Sequence, residues 1–316
     1  MITELLFLIA GFLLLIYGAG WLVDGSVSLA RKHNVSDLAI GLTIVAFGTS
    51  MPEFVVNLFA SLNGHSGIVL GNIIGSNNFN LFVILGITAI ISPLAVQSVT
   101  VWKEIPFSLI AAFALLVVAN LFPFGDLLVI TRTESLFLLF LFLVFLYYIY
   151  VQMKKLPAET DTSAAKVFTT AKTWIFIVGG LALLISGGRL VVSNAVEIAT
   201  RLGVSQKVIG LTIVAAGTSL PELVTSVTAA LKKNSDIAVG NIIGSNIFNI
   251  CLILGTSAMI SPVQYDPAFN TDTVLLIFGT LLLFVAMFSG RRKKLDRWEG
   301  FVLLSCYSGY TIYLLT

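Results

Sequence analysis

GLTIVAFGTSMPE (41–53) and GLTIVAAGTSLPE (210–222) are one thirteen-residue phrase written twice, identical at 11 of 13 positions. At the same distance downstream, GNIIGSNNFNLFVILGITAIISP (71–93) and GNIIGSNIFNICLILGTSAMISP (240–262) share 16 of 23 positions. The offset is 169 residues throughout, pairing Glu53 with Glu222, Ser76 with Ser245 and Asn80 with Asn249. A period this long is no solenoid repeat; it marks a duplicated half-protein.

Composition sets the solvent. The 316 residues are 57% hydrophobic and 11% charged, against about 25% charge in an ordinary globular domain. Apolar runs recur at the roughly 20 residues needed to cross a bilayer core as helix. The chain therefore reads as an all-α polytopic membrane protein. A net charge of +2, with basic residues confined to short loops, offers nothing to nucleic acid. Cys251 and Cys306 fall inside apolar runs and read as packed small hydrophobes. The first apolar run lacks a basic flank and a small-residue cleavage site, so it reads as a retained span rather than a signal peptide.

Ten spans are expected, at about 4–23, 37–61, 67–91, 102–122, 126–150, 173–193, 206–230, 236–260, 272–289 and 297–315. They group as a five-helix half over 1–153, a cytoplasmic linker over 154–172 and a second half over 173–316. An odd number of spans per half turns the second copy over, giving an inverted repeat with the substrate site at the repeat interface near the midplane. Of 18 Lys and Arg, all but Arg132, Arg189, Arg201 and Lys207 fall in connections after odd-numbered spans. That asymmetry makes those connections cytoplasmic and puts both termini outside. Trp21, Trp102, Trp174 and Trp298 lie near expected span ends and read as interface anchors. His33 and His65 read as loop residues.

The chemistry sits in the repeated phrases. Glu53 and Glu222 stand mid-span, where a carboxylate costs about 2.5–3.5 kcal/mol to insert and is functional by default. No Lys or Arg accompanies them, apart from Arg189 toward the end of its own span. Two such carboxylates meeting at a pseudo-twofold axis call for a cation, and a divalent ion would neutralise both. Pro52 and Pro221 free the carbonyls of Gly48 and Gly217 and break helices 2 and 7. The freed turns hold Thr49, Ser50, Thr218 and Ser219, all hard oxygen donors of the kind that Ca²⁺ collects six to eight of; Na⁺ accepts the same donors. Ser76, Asn80, Ser245 and Asn249 add a further polar face. Asn72, Asn77, Asn241 and Asn246 lie nearby, with Asn72 and Asn241 serving either the site or helix packing. Gly71 with Gly75, and Gly240 with Gly244, form GxxxG pairs that read as close-packing positions.

At GTSMPE and GTSLPE, each followed by GNIIGSN, the chain resembles the Ca²⁺/cation antiporter superfamily, and most closely its prokaryotic sodium/calcium exchangers. The resemblance covers essentially the whole chain and implies two inverted five-helix halves. The second, third, seventh and eighth spans would form a compact core, over which the first and sixth slide. Carried over by motif position, Glu53 and Glu222 with the Thr49 and Thr218 carbonyls would hold Ca²⁺. One flanking Na⁺ site would use Ala46, Thr49, Ser50, Glu222 and Ser245; its mate would use Ala215, Thr218, Ser219, Glu53 and Ser76. Asn80 and Asn249 would line the middle. Several relatives carry Asp at the position of Asn249, so this chain has one titratable group fewer there.

The expected function is a secondary active antiporter of the cell membrane, a monomer with no cofactor, extruding Ca²⁺ against inward Na⁺. Coupling to H⁺ or K⁺ on the same fold, and a cation channel, are the competing readings. An intramembrane hydrolase is disfavoured: there is no HExxH pair, and neither His lies within a span.

Overall fold

The computed structural model describes residues 2–120, 128–155, 167–203, 215–289 and 293–315. Lys166, Lys207, Arg291, Arg292, most of the expected linker and positions 206–214 of the expected seventh span lie outside the described residues.

The described residues are helical nearly throughout, and their elements recur at the offset of the sequence repeat. In the first half α1 covers Ile2–His33, α2 Asp37–Thr49, α3 Met51–Leu62, α4 Ser66–Ile91, α5 Thr100–Asn120 and α6 Arg132–Lys155. In the second, α7 covers Thr170–Arg201, α8 Ala215–Thr218, α9 Leu220–Leu231, α10 Ser235–Ile260, α11 Phe269–Ala286 and α12 Arg297–Leu315. Two-residue strands β1 (Leu94–Ala95), β2 (Val129–Ile130), β3 (Val263–Gln264) and β4 (Lys294–Leu295) tie the ends together, β1 with β4 and β2 with β3, both antiparallel.

The stop signals repeat as well. Asn34 (φ 53°) follows α1 and Gly203 (φ 80°) follows α7, each in the left-handed conformation that ends a helix. Gly64 (φ 70°) and Lys233 (φ 61°) occupy equivalent places before α4 and α10. The Ser36 hydroxyl caps α2 by accepting from the Ala39 N–H at 3.2 Å, and the Asn234 side chain caps α10 from the Ile237 N–H at 3.0 Å.

Seven described helices are long and apolar enough to cross a membrane, or eight if the bent pair α2–α3 is one span. The shorter α9 and the 19-residue α12 add to these without meeting that test. Apolar side chains such as Leu136, Phe140 and Leu143 on α6 are exposed, as expected where lipid is the solvent. The protein is a multi-pass membrane protein.

At the centre lies α10, where every residue from Ile237 to Cys251 is buried, the mark of a helix enclosed on all sides. Its Gly240 and Gly244 are used for packing: a Cβ on Gly240 would sit 3.0 Å from the Leu38 carbonyl, and one on Gly244 2.7 Å from the Ala46 Cβ. For Gly71 and Gly75, nothing among the described residues comes closer than Phe269, at 4.0 Å from Gly71. The segment equivalent to α2 in the other half is largely outside the described residues.

Around this centre, α1 and α7 pair along their length. Gly18 meets Gly180 and Gly11 meets Gly187, with would-be Cβ atoms 2.9 Å and 3.0 Å from the facing carbonyl oxygens. The contacts run in opposite order, so the helices are antiparallel with backbones touching. Polar ties close both ends: Ser28 with Thr173 at 2.9 Å, and Arg201 with Glu4 at 2.8 Å. Four sequence expectations are corrected here. The spans 4–23 and 173–193 extend to 32-residue helices; the apolar stripe ends where the polar face begins, but the helix continues to its left-handed stop. Trp21 therefore lies well inside α1, stacked on Phe176 at 5.2 Å, rather than at a helix end. Arg189 likewise stands inside α7, with twelve residues still to come, and His33 ends α1 rather than sitting in a loop.

Candidate cation site

Both repeated phrases break their helix at one residue. After Thr49 the chain passes through Ser50 (φ −81°, ψ 7°) and restarts as α3, with a bend of 48°. After Thr218 it passes through Ser219 (φ −88°, ψ 9°) and restarts as α9. Pro52 and Pro221 fall in the first turn of the new helices, where no backbone donor is needed. The expected break thus falls at Ser50 and at Ser219, with Glu53 and Glu222 in the first turn after it. Each carboxyl group sits at the positive end of its helix, while the last carbonyls of α2 and α8 face the same break.

The four elements bring the two glutamates into one buried space. Glu53 and Glu222 are each only 1% exposed, and each lies in the other's field of like charge. Their hydrogen bonds cross between the halves: the Ser50 hydroxyl donates to Glu222 Oε1 at 2.9 Å, and the Ser219 hydroxyl donates to Glu53 Oε1 at 3.1 Å. The second carboxyl oxygens, Glu53 Oε2 and Glu222 Oε2, make no hydrogen bond of good geometry, nor do Ser76 Oγ, Ser245 Oγ, Thr218 Oγ1, Asn80 Oδ1 and Asn249 Oδ1 among the described residues, although Thr218 lies beside Glu53 and Ser245 beside Glu222. Buried polar atoms normally find partners, because leaving one unpaired costs about 1–3 kcal/mol. Seven orphaned oxygens on two carboxylates and their neighbours form a set of acceptors that a cation would satisfy.

The remaining expected residues divide. Thr49 is fully buried, and its one hydroxyl proton has three acceptors in range, Asn241 Oδ1 at 2.9 Å, the Val45 carbonyl at 3.1 Å and the Ala46 carbonyl at 3.3 Å. The Ala46 carbonyl also accepts the Ser50 N–H at 3.0 Å, so it is engaged within its own helix. Ala215 opens α8. Thr218 is half-buried and lines a cavity of ≈520 Å³ between α7 and the two breaks.

Four asparagines complete the frame. Asn80 Nδ2 donates to Asn246 Oδ1 at 3.1 Å, and Asn249 Nδ2 donates to Asn77 Oδ1 at 2.9 Å. Asn77 and Asn246 each also donate to the other's backbone carbonyl, at 3.4 and 3.3 Å. These bonds lock α4 to α10, one from each half of the sequence repeat, and fix which way Asn80 and Asn249 turn their amides, carbonyl oxygen left open. Asn241, ambiguous in the sequence, links Thr49 to Ser226 (2.9 Å) and to the Glu222 carbonyl (3.4 Å); Asn72 donates only to the Glu53 carbonyl (3.4 Å). Sequence reasoning missed Asn57 and Ser226. Asn57 Nδ2 donates to the Glu53 carbonyl at 2.9 Å. A polar residue four positions after each glutamate, at equivalent places in both copies, was the available signal.

The same chain has known relatives. The family described as sodium/calcium exchanger protein matches residues 3–151 and 172–316. The chain is 38% identical to the "Putative antiporter CaxA" of Alkalimonas amylolytica, covering 100% of this chain and 99% of that one. It is 32% identical to the "Sodium/calcium exchanger MaX1" of Methanosarcina acetivorans, covering 99% of each. Among solved structures it is similar to the sodium–calcium exchanger NCX_Mj soaked with zero Na⁺ and Ca²⁺, with a TM-score of 0.83, 32% identity and 99% of each chain covered. With its whole length matched in sequence and in fold, the chain belongs to the sodium/calcium exchanger protein family.

Proposed function

We propose that the protein is a secondary active antiporter that exchanges Na⁺ for Ca²⁺ across the cell membrane by alternating access, normally extruding Ca²⁺. The observation that carries the reading is the pair of buried glutamates on two broken helices, each bonded to the serine at the other's break and each keeping one oxygen unpartnered. In this reading Glu53, Glu222 and the Thr49 and Thr218 carbonyls take Ca²⁺. Ser50, Ser245 and Ala46 on one side, and Ser219, Ser76 and Ala215 on the other, take Na⁺, with Asn80 and Asn249 between. Two carboxylates cannot serve a Ca²⁺ ion and a set of Na⁺ ions together, so occupancy alternates.

The membrane frame belongs to the same reading: ten spans in two inverted halves, 1–153 and 173–316 about the linker 154–172, both termini outside, functioning as a monomer. An empty dicarboxylate is costly to seal from water. Only the neutralised site therefore lets the α1–α7 pair move across the core. That pair is suited to moving as one body, because its glycine backbones touch and its ends are tied.

The test is Ca²⁺ uptake into proteoliposomes loaded with Na⁺ and diluted into Na⁺-free buffer, with matched K⁺ and pH gradients. Uptake that needs the Na⁺ gradient and disappears in Glu53→Gln and Glu222→Gln supports the exchanger. Uptake driven by the pH gradient alone makes H⁺ the coupling ion. Single-channel currents through the wild-type protein would overturn alternating access.

A further inference from the structure

The two halves differ where α1 and α7 pass their neighbours. On α1, the Gly20 carbonyl accepts from Lys232 Nζ at 3.0 Å, and Asp24 pairs with the same ammonium at 2.6 Å. The repeat offset maps Gly20, Asp24 and Lys232 onto Arg189, Ser193 and Asn63. On this second side the cation is carried by α7 itself, and the equivalent of its carboxylate partner is a serine. Arg189 makes no ion pair or hydrogen bond among the described residues, and it is exposed inside a 32-residue helix.

Arg189 also stands over a space. The ≈520 Å³ cavity is walled by apolar side chains, including Val55, Val56, Ile185 and Val192, and its polar groups are few: Arg189, Ser193 and Thr218. Val55, Val56 and Ile185 are themselves exposed, so the cavity opens sideways from the helix bundle, where the surroundings are lipid. Arg189 is about 18 Å along the helix from Arg201, within reach of an amphiphile head held below the membrane surface by snorkelling. An unpaired guanidinium at the rim of an apolar pocket selects a negative head and a hydrocarbon tail. A guanidinium fork fits a carboxylate through two parallel N–H···O bonds.

We propose that this cavity is a binding site for a long-chain fatty acid anion, its carboxylate on Arg189 and its tail running between α3 and α7 toward Pro221. The equivalent place on α1 offers no free cation among the described residues, because there Asp24 pairs with Lys232.

The test uses the full chain in proteoliposomes of neutral phospholipid, illuminated with a long-chain saturated carboxylate bearing a diazirine near its tail end; labelled peptides are read by mass spectrometry. Label is expected on Met51–Val56 and Gly217–Pro221. It should fall roughly tenfold or more in Arg189→Gln, as loss of a charge-assisted bond requires, and fall less in Arg189→Lys, which keeps the charge but not the fork. Gly188→Leu should also lose it by filling the cavity, since a Cβ there meets only Pro221, at 3.8 Å. Thermal melting of each variant separates lost binding from lost folding. Undiminished label in a folded Arg189→Gln, equal label from the neutral alcohol of the same length, or label elsewhere on the chain would overturn the proposal. Arg189-dependent label from an anionic phospholipid probe but not from the carboxylate would overturn it in favour of a bilayer headgroup.

Discussion

The Ser50 hydroxyl reaches Glu222, 172 positions away, at 2.9 Å, and its repeat mate Ser219 returns the same bond to Glu53 at 3.1 Å. Neither glutamate is held by the serine of its own break. Each half therefore supplies a donor to the other's glutamate, and separating the halves would leave each carboxyl group without that donor.

Charge removal at either glutamate is expected to abolish exchange. Glu53→Gln and Glu222→Gln replace an unpartnered oxygen with an amide that cannot neutralise a divalent ion. Gradient-driven ⁴⁵Ca²⁺ uptake in proteoliposomes should fall to background in both. Retained uptake in either would remove that residue from the site.

The crossed serines carry a smaller share. A hydrogen bond to a charged group contributes about 1.5–3 kcal/mol, so Ser50→Ala and Ser219→Ala should each weaken half-saturation by cation roughly tenfold to a hundredfold. The double variant should lose less than the sum, since both act on one dicarboxylate. Titration of uptake against Ca²⁺ concentration reads this directly.

Gly48 and Gly217 keep room at the breaks for α7. A Cβ on Gly48 would come within 2.4 Å of Leu181 Cδ2, and one on Gly217 within 2.2 Å of Val192 Cγ2. Gly48→Ala and Gly217→Ala should each lower thermal stability by about 1–3 kcal/mol, the usual cost of overpacking. Leu181→Ala should rescue the first and Val192→Ala the second, and not the reverse. Melting curves of the four pairings in detergent decide it.

The asparagine frame makes a pH prediction. Asn249 donates to Asn77 Oδ1 at 2.9 Å, and only the protonated acid of Asn249→Asp could do the same. On deprotonation the variant sets an anion against the Asn77 acceptor oxygen. Exchange by Asn249→Asp should therefore change more steeply with pH than the wild type, with Asn77 held in place only on the acid side. Parallel pH profiles of uptake for the two proteins check this, and superimposable profiles would refute it.

Much of this molecule was legible in one dimension. Apolar runs of membrane length, the doubled phrases at a fixed offset and two mid-span glutamates are local or periodic properties, and bilayer thickness and the cost of burying charge act on them directly. The left-handed stops at Asn34 and Gly203, the breaks at Ser50 and Ser219 and the close packing of Gly240 and Gly244 lie where the residue types put them. What the sequence could not say was who answers whom. That Ser50 serves Glu222, that Asn77 and Asn246 bond each other across the halves, that Asn241 belongs to Thr49 and that Arg189 has no equivalent of the Lys232–Asp24 pair depend on distances between residues more than a hundred positions apart. Helix lengths beyond the apolar stripe, as in α1 and α7, were hidden for a related reason: hydropathy reports the solvent, whereas a helix continues until a backbone signal stops it.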